Sequence, residues 1–326
     1  MNLASVKDLN KAILQLNLVM KKLIVFFLLL LTLFTTMLFA QSTSEAKDKV
    51  LVMDFESAYV VGRKVQIYLP KEYDENPTKH FPVLYMQDGQ NLFDPQTAYK
   101  GTPWELDKST RKAINGNEII PCIIVGISNV YARFFEYFPQ KATAHLTKED
   151  YILMEQGGLE HASDTSNYLA DNYLKFLVNE LKPFIDKNYR TKSEAASTAI
   201  GGSSSGALIS LYAICEYPEV FGQAACISTH WSVLFDNEFT SPSESIRTYL
   251  KHNLPDPKTH RIYFDHGTLA IDRFYEFHQK KVDQLMLKKG YTKGKNWETL
   301  KFEGATHSEN SWKERSNVFL RFLFKV

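Results

Sequence analysis

The residues best suited to covalent chemistry are three consecutive serines between glycines, Ser203, Ser204 and Ser205, in the stretch TAIGGSSSGALISLYAICEYP. A serine hydroxyl attacks a carbonyl only when a base takes its proton. It must also stand clear of the backbone. A sharp strand-to-helix turn achieves this when the residues two before and two after are small. Only the frame Gly202-Ser203-Ser204-Ser205-Gly206 satisfies that spacing, so Ser204 is the predicted nucleophile. Ser203 and Ser205 read as turn residues. The backbone N–H of Ser205, at the start of a helix, is expected to face charge that builds on a substrate.

In this arrangement the partners follow the serine in the order acid, then histidine. Of nine histidines, His230, His252, His260, His266, His278 and His307 lie downstream. His307, in FEGATHSENSW, sits in a small loop between the last expected strand and the last expected helix, and is the predicted base. His252 and His260 flank a polar, proline-containing loop and read as solvated, His278 falls within a helix, and His230 follows a strand end where it would line a pocket. The acid should come from RIYFDHGTLAIDRFYEFH. Asp272, beyond the Gly267-Thr268 turn, is preferred to Asp265, which belongs to the strand end; Glu303 ranks third. Helix capping is the alternative role for Asp272. A second oxyanion donor is expected from the backbone N–H of Gln90, after the Asp88-Gly89 turn in FPVLYMQDGQNLFD. Asp88, Asn91 and Asp94 lack the paired D-x-D core of a calcium loop, so no metal is expected there.

These residues require strands that end close together. Lys64–Leu69, Phe81–Met86, Ile119–Ile127, a short strand before Gly201, Gln223–Ser228, Arg261–Asp265 and Thr299–Phe302 read as strands, several as continuous apolar runs suited to a sheet covered on both faces. Helical spacing marks Tyr168–Tyr189, with a bend expected at Pro183, and helices are expected near Ser205–Cys215, Phe274–Lys288 and Trp312–Phe324. The alternation predicts an α/β fold, a mostly parallel sheet wrapped by helices, in one domain over 41–326. Tyr131–Ser166, aromatic and charged without a strict period, reads as a lid or substrate wall.

At 326 residues, 44% hydrophobic and 23% charged, with a formal charge of +1 and no long basic run, the chain is not expected to bind nucleic acid. Residues 1–40 are set apart. From Met20, two lysines precede an apolar run from Leu23 to Ala40 that ends in small residues, the pattern of a secretory signal. The expected product is secreted or periplasmic, with no membrane association unless that segment is retained as an anchor. Cys122, Cys215 and Cys226 lie in apolar surroundings and read mainly as buried small hydrophobes, with one disulfide as the alternative.

Taken together, RKVQIYLPKEYD, FPVLYMQDGQNLFD, ELKPFIDKNYRT, AIGGSSSGALISLYAICEYPEVFGQAACIS, YFDHGTLAID and GATHSENSW resemble the "putative esterase" branch of the α/β-hydrolase superfamily. Its relatives include feruloyl and siderophore esterases, S-formylglutathione hydrolase and mycolyltransferases. The resemblance runs from about Ser57 to the C-terminus. It implies an α/β-hydrolase fold without a cofactor, with Ser204 as nucleophile, His307 as base, Asp272 as acid, and the amides of Gln90 and Ser205 around the oxyanion. It also implies substrate contacts near His230 and Trp231. YARFFEYFP is similar to the family's Arg/Glu segment at the substrate end, where Arg133 and Glu136 would face substrate or pair with each other. The aromatic content, Trp104 included, permits an aromatic acyl group. The expected activity is hydrolysis of feruloyl, acetyl or siderophore-type carboxylic esters. An acyltransferase on the same site and a non-catalytic carbohydrate- or siderophore-binding homologue are the alternatives.

Overall fold

A computed structural model describes residue 11 and residues 13–29, 46–234 and 241–326. Two units are distinguished, Met1–Ala46 and Lys47–Val326. In the first, residues 13–29 are helical, and the rest of the expected signal segment lies outside the described residues. Among the described residues, no helix is long and apolar enough to cross a membrane.

The second unit is built on an eight-stranded sheet of order β1-β2-β4-β3-β5-β6-β7-β8. The strands are β1 Lys49–Phe55, β2 Arg63–Leu69, β3 Val83–Gln87, β4 Ile123–Ile127, β5 Thr198–Ser203, β6 Gln223–Ile227, β7 Arg261–His266 and β8 Trp297–Lys301. β1 and β2 join antiparallel, β2 joins β4 antiparallel, and every other pairing is parallel.

The alternation of side chains across the pleat divides the core in two. Leu84 and Met86 of β3 pack with Trp312, Phe319 and Leu320 of helix Glu309–Phe324, whereas Val83 and Tyr85 pack with Leu208, Leu211 and Tyr212 of helix Ser205–Glu216. Both faces are thus covered, and β3 to β6 are buried along their whole length. That burial explains why these strands read as unbroken apolar runs.

Several expectations are corrected. β1 was not anticipated: its pattern is mostly exposed, and it takes its register from β2. Helices at Leu106–Asn115, Lys148–Gln156 and Ser241–Asn253 were also missed. The long helix is irregular in the turn just before Pro183. Its irregularity is a π-helical stretch, Phe176–Leu181, and Pro183 stands harmlessly in the first turn of the α-helical segment that follows. The strand expected over Ile119–Ile127 begins only at Ile123, after Pro121. All three cysteines are free.

The chain runs from β3 to β4 on one side and from β4 to β5 on the other, so its direction of winding reverses between β3 and β5. In open α/β sheets, ligands bind beyond the carboxyl ends of the strands at such a reversal.

Candidate active site

β5 ends at Ser203, and helix Ser205–Glu216 starts two residues later. Between them Ser204 adopts φ 58°, ψ −125°, a conformation that costs a non-glycine residue about 1–3 kcal/mol. The flanking glycines make the turn feasible. A Cβ on Gly202 would lie 2.8 Å from the backbone of Gly206 and 2.9 Å from Gln87 Cβ. One on Gly206 would lie 3.0 Å from Gln87 Cβ and 3.1 Å from Asp88 Oδ2. Ser204 is held from both sides: its N–H donates to the Ile227 carbonyl (3.0 Å), and its carbonyl accepts from the His230 N–H (3.2 Å). Ser203 and Ser205 are buried.

Ser205 is the first residue of its helix, so its N–H has no intrahelical acceptor. Gln90 follows the left-handed turn at Asp88 (φ 56°) in the one-turn helix Gly89–Asn91. Its loop is fixed in three ways. Gly89 lies against the β4 backbone, where a Cβ would come within 2.4 Å of Gly126 C. The Gln90 side-chain carbonyl accepts from Asn129 N (3.1 Å). The Asp88 carboxylate accepts from Arg133 Nε (2.8 Å), Arg133 Nη2 (2.7 Å) and Asn129 Nδ2 (2.6 Å). Asp88 is therefore a strut for this loop, while Asn91 and Asp94 accept from the backbone of Tyr99 and Gln96.

The loops after β7 and β8 bring Asp272 and His307 into contact, with His307 Nδ1 2.6 Å from Asp272 Oδ1. A carboxylate only accepts, so Nδ1 carries the proton and Nε2 of the neutral ring is left as the acceptor. Asp272 is fully buried and does not cap the helix that follows it, which begins at Tyr275 with no side-chain cap. Its other oxygen accepts from Gly267 N and Ser228 Oγ, each at 2.6 Å. Burial raises the Asp272 carboxyl pKa, but the bond and charge of His307, with the Ser228 and Gly267 bonds, outweigh burial and leave it below its usual value. The His307 ring is wedged edge-on between Trp312 (centroids 4.9 Å) and Tyr275 (5.8 Å).

Asp265, the second candidate acid, serves other partners: Arg315 Nη2 at 3.0 Å, Tyr263 Oη at 2.9 Å and Ser228 N at 3.2 Å. Ser228 links the two carboxylates. It gives its proton to Asp272 and accepts from Arg315 Nη2 (2.7 Å) and Trp312 Nε1 (3.1 Å). Nothing in the sequence marks Ser228, Arg315 or Tyr275 for these positions. Glu303 forms a surface pair with Lys301.

Two expected substrate contacts are corrected. Trp231 is 1% exposed, its indole N–H donating to Gln279 and its ring packed on Phe264. Trp104 is 3% exposed, behind Trp312 and Phe319. Both are core, with no surface for a substrate. His230 lies with Phe134, Phe138, Ser205, Leu208 and Val233 around a narrow apolar seam with no room for a water-sized guest, so part of the Tyr131–Ser166 segment forms a wall beside the helix start. Arg133 and Glu136 do not pair with each other. Arg133 holds Asp88, and Glu136, fully buried, accepts two bonds from Arg63 (2.7 and 2.8 Å). His260 is not solvated but buried, bonded to the Pro218 carbonyl; His252 is exposed.

Comparison with known proteins agrees with this architecture. A family model described as "Putative esterase" matches residues 61–321. An uncharacterized protein of Bacillus subtilis, YbbA, is 28% identical over 254 residues, covering 76% of this chain and 86% of that protein. The ferri-bacillibactin esterase BesA of the same organism is 25% identical over 176 residues, 53% of this chain and 57% of BesA. A solved ferulic acid esterase superposes with a TM-score of 0.61 at 18% identity, covering 85% of this chain and 98% of that one.

Proposed function

The chain belongs to the Putative esterase family, and from that premise we propose that it is an exported ester hydrolase working through an acyl-enzyme on Ser204. His307 Nε2 takes the Ser204 proton as Oγ bonds to the ester carbonyl carbon, and the negative charge on the former carbonyl oxygen is met by the N–H groups of Ser205 and Gln90. His307 then returns the proton to the leaving alcohol as the ester C–O bond breaks. Water repeats the sequence on the acyl-enzyme and frees the acid. Asp272 keeps His307 in the tautomer that leaves Nε2 bare and stabilises the imidazolium that forms.

The observation that carries this reading is the 2.6 Å bond from His307 Nδ1 to a buried Asp272, beyond the same sheet end that carries the strained turn at Ser204. Phe134, Phe138, Leu208 and Val233 place apolar side chains beside Ser205, which favours an apolar acyl group. This matches in kind the feruloyl and siderophore esters in the names of the related esterases. Export rests on the basic, then apolar, then small-residue order that begins at Met20.

The test is labelling with a fluorophosphonate, followed by mapping of the modified residue and assay against acetyl, feruloyl and catecholate-siderophore esters. One label per chain on Ser204, blocked by a hydrolysed ester, is expected. Turnover without Ser204 modification would refute the acyl-enzyme.

A further inference from the structure

We infer that Ser228 and Arg315 are positioning residues for the proposed acid and base: Arg315 turns the Ser228 hydroxyl toward Asp272, and Ser228 in turn pins the Asp272 carboxylate against His307. The inference rests on the reading of Asp272 and His307 as the pair that activates Ser204.

The direction of the Ser228 proton follows from its partners. Three groups surround the Ser228 oxygen: Asp272 Oδ2 at 2.6 Å, Arg315 Nη2 at 2.7 Å and Trp312 Nε1 at 3.1 Å. A guanidinium and an indole N–H only donate, so they take the two lone pairs of the hydroxyl. Its one proton is left for the carboxylate. Ser228 is fully buried, so bulk solvent does not compete for these bonds. Arg315 is held in its turn. Nη2 also donates to Asp265 Oδ1 (3.0 Å), and Asp265 accepts from the Tyr263 hydroxyl (2.9 Å) and the Ser228 N–H (3.2 Å). Nε and Nη1 meet no hydrogen-bond acceptor among the described residues, so the guanidinium bonds only through the nitrogen that Ser228 and Asp265 share. That nitrogen is 3.9 Å from Asp272 Oδ2, beyond hydrogen-bond reach. The Ser228 hydroxyl is the link.

With Oδ2 pinned by Ser228 and Gly267, the carboxylate cannot turn without breaking two bonds, and Oδ1 stays on His307 Nδ1. The charges fit the same task. Asp265 and Asp272 have unexposed side chains, and the Arg315 side chain is 4% exposed. Two buried carboxylates thus share one buried guanidinium. Asp265 balances Arg315 and leaves the charge of Asp272 for the imidazolium that forms when His307 takes a proton. This gives a role to Asp265, the carboxylate that does not reach the histidine. The backbone points the same way. Ser228 takes φ 43°, a region that glycine enters without strain but a serine does not. A strained non-glycine residue persists where its surroundings fix a functional geometry, and here the side chain that glycine lacks is the hydroxyl between Arg315 and Asp272.

Ser228→Ala removes the hydroxyl. With active sites counted by fluorophosphonate titration and 4-nitrophenyl acetate as the ester, kcat per site and the rate of labelling at Ser204 should each fall about tenfold, with KM within about twofold. Arg315→Met combined with Asp265→Asn, which removes both buried charges at once, should give a similar loss even where Ser228→Ala folds poorly, because the Ser228 proton is then no longer directed. Asp272→Asn removes the group through which Ser228 acts. Adding Ser228→Ala to it should slow labelling by no more than about twofold further. Losses that multiply in that double variant would overturn the inference, as would fewer active sites of normal kcat in Ser228→Ala, which would leave Ser228 a structural role only. A wild-type protein unlabelled at Ser204 would bring down the acyl-enzyme reading and this inference together; normal wild-type labelling with an unchanged rate per site in Ser228→Ala would bring down the inference alone.

Discussion

Asp272 Oδ1 lies 2.6 Å from His307 Nδ1, although the two residues belong to loops that follow different strands of the sheet. The carboxylate has no exposure, and its second oxygen is occupied by Ser228 and Gly267. Such a group can do little except orient the imidazole. Asp272→Asn preserves the shape but presents an amide whose N–H₂ favours the wrong histidine tautomer. We expect kcat to fall by about 10⁴-fold at neutral pH with KM little changed. A loss below tenfold would show that another group orients His307.

Ser204→Ala should abolish turnover by at least about 10³-fold while the thermal midpoint holds or rises, since the strain at φ 58° persists but a half-buried hydroxyl is removed. Ser203, in the sheet and outside the turn, should tolerate alanine with less than about a threefold change. Equal losses at the two positions would mean that the reactive hydroxyl had been assigned to the wrong serine.

Gly267 keeps the acid loop close to the histidine loop. A Cβ there would sit 2.2 Å from the Ala305 carbonyl oxygen and 3.0 Å from Asp272 Oδ2. Gly267→Ala must therefore push apart the two loops that carry Asp272 and His307. We expect kcat to drop about 100-fold, because a displacement of about 1 Å in a catalytic group is enough for that, while far-ultraviolet circular dichroism stays native. Full activity in this variant would show that the loops have slack.

The turn at Ser204 could be read from sequence because crowding between Gly202, Gly206 and Gln87 admits no other spacing. The strands around it could be read because burial on both faces leaves a continuous apolar run. Other features were illegible for equally physical reasons. Trp104 and Trp231 look like binding residues by type, and only their position under Trp312 and against Gln279 reveals them as core. Arg133 and Glu136 stand three apart on one short helix, a spacing that suggests a mutual pair. Their partners, Asp88 in the turn after β3 and Arg63 on β2, come from distant parts of the chain that local spacing cannot foresee. The same holds for Ser228 and Arg315, which meet Asp272 only through the parallel packing of β6 and β7 against the last helix.

Stability should also carry the mark of His230. An unfolded histidine titrates near 6.5, whereas buried His230 does so at about 3. Between those values the unfolded chain binds a proton that the folded one refuses. The His230 contribution is therefore complete above about pH 6.5 and is lost as pH falls toward 3, at up to about 1.4 kcal/mol per pH unit. His278, lowered to about 4 by burial and Arg247, adds to the same slope. Urea midpoints taken from pH 7 to pH 4 should fall more steeply for the wild type than for His230→Gln. Parallel curves would show that His230 is protonated in the folded state.

The wall beside the start of helix Ser205–Glu216 depends on a buried ion pair. Arg63 on β2 and Glu136 on helix Arg133–Tyr137 are each 1% exposed at the side chain and share two hydrogen bonds. The same short helix carries Phe134 toward Ser205 and His230 and Arg133 toward Asp88. Removing one partner strands a charge in a medium that solvates it poorly, so Arg63→Met should cost about 3–5 kcal/mol. Replacing both, as Arg63→Met with Glu136→Leu, removes the stranded charge and should recover most of that loss, because apolar side chains of similar volume often match or exceed a buried pair in stability. Activity need not follow stability. The double variant keeps the fold but loses the two bonds that set where the helix sits, so KM for esters with bulky acyl groups should rise while KM for acetyl esters stays nearly constant. Urea denaturation of the three proteins, with KM for the two ester classes, separates these effects. A single Arg63→Met variant as stable as wild type would show that Glu136 is solvated or protonated in the folded chain, and the pair would then not be what holds the wall.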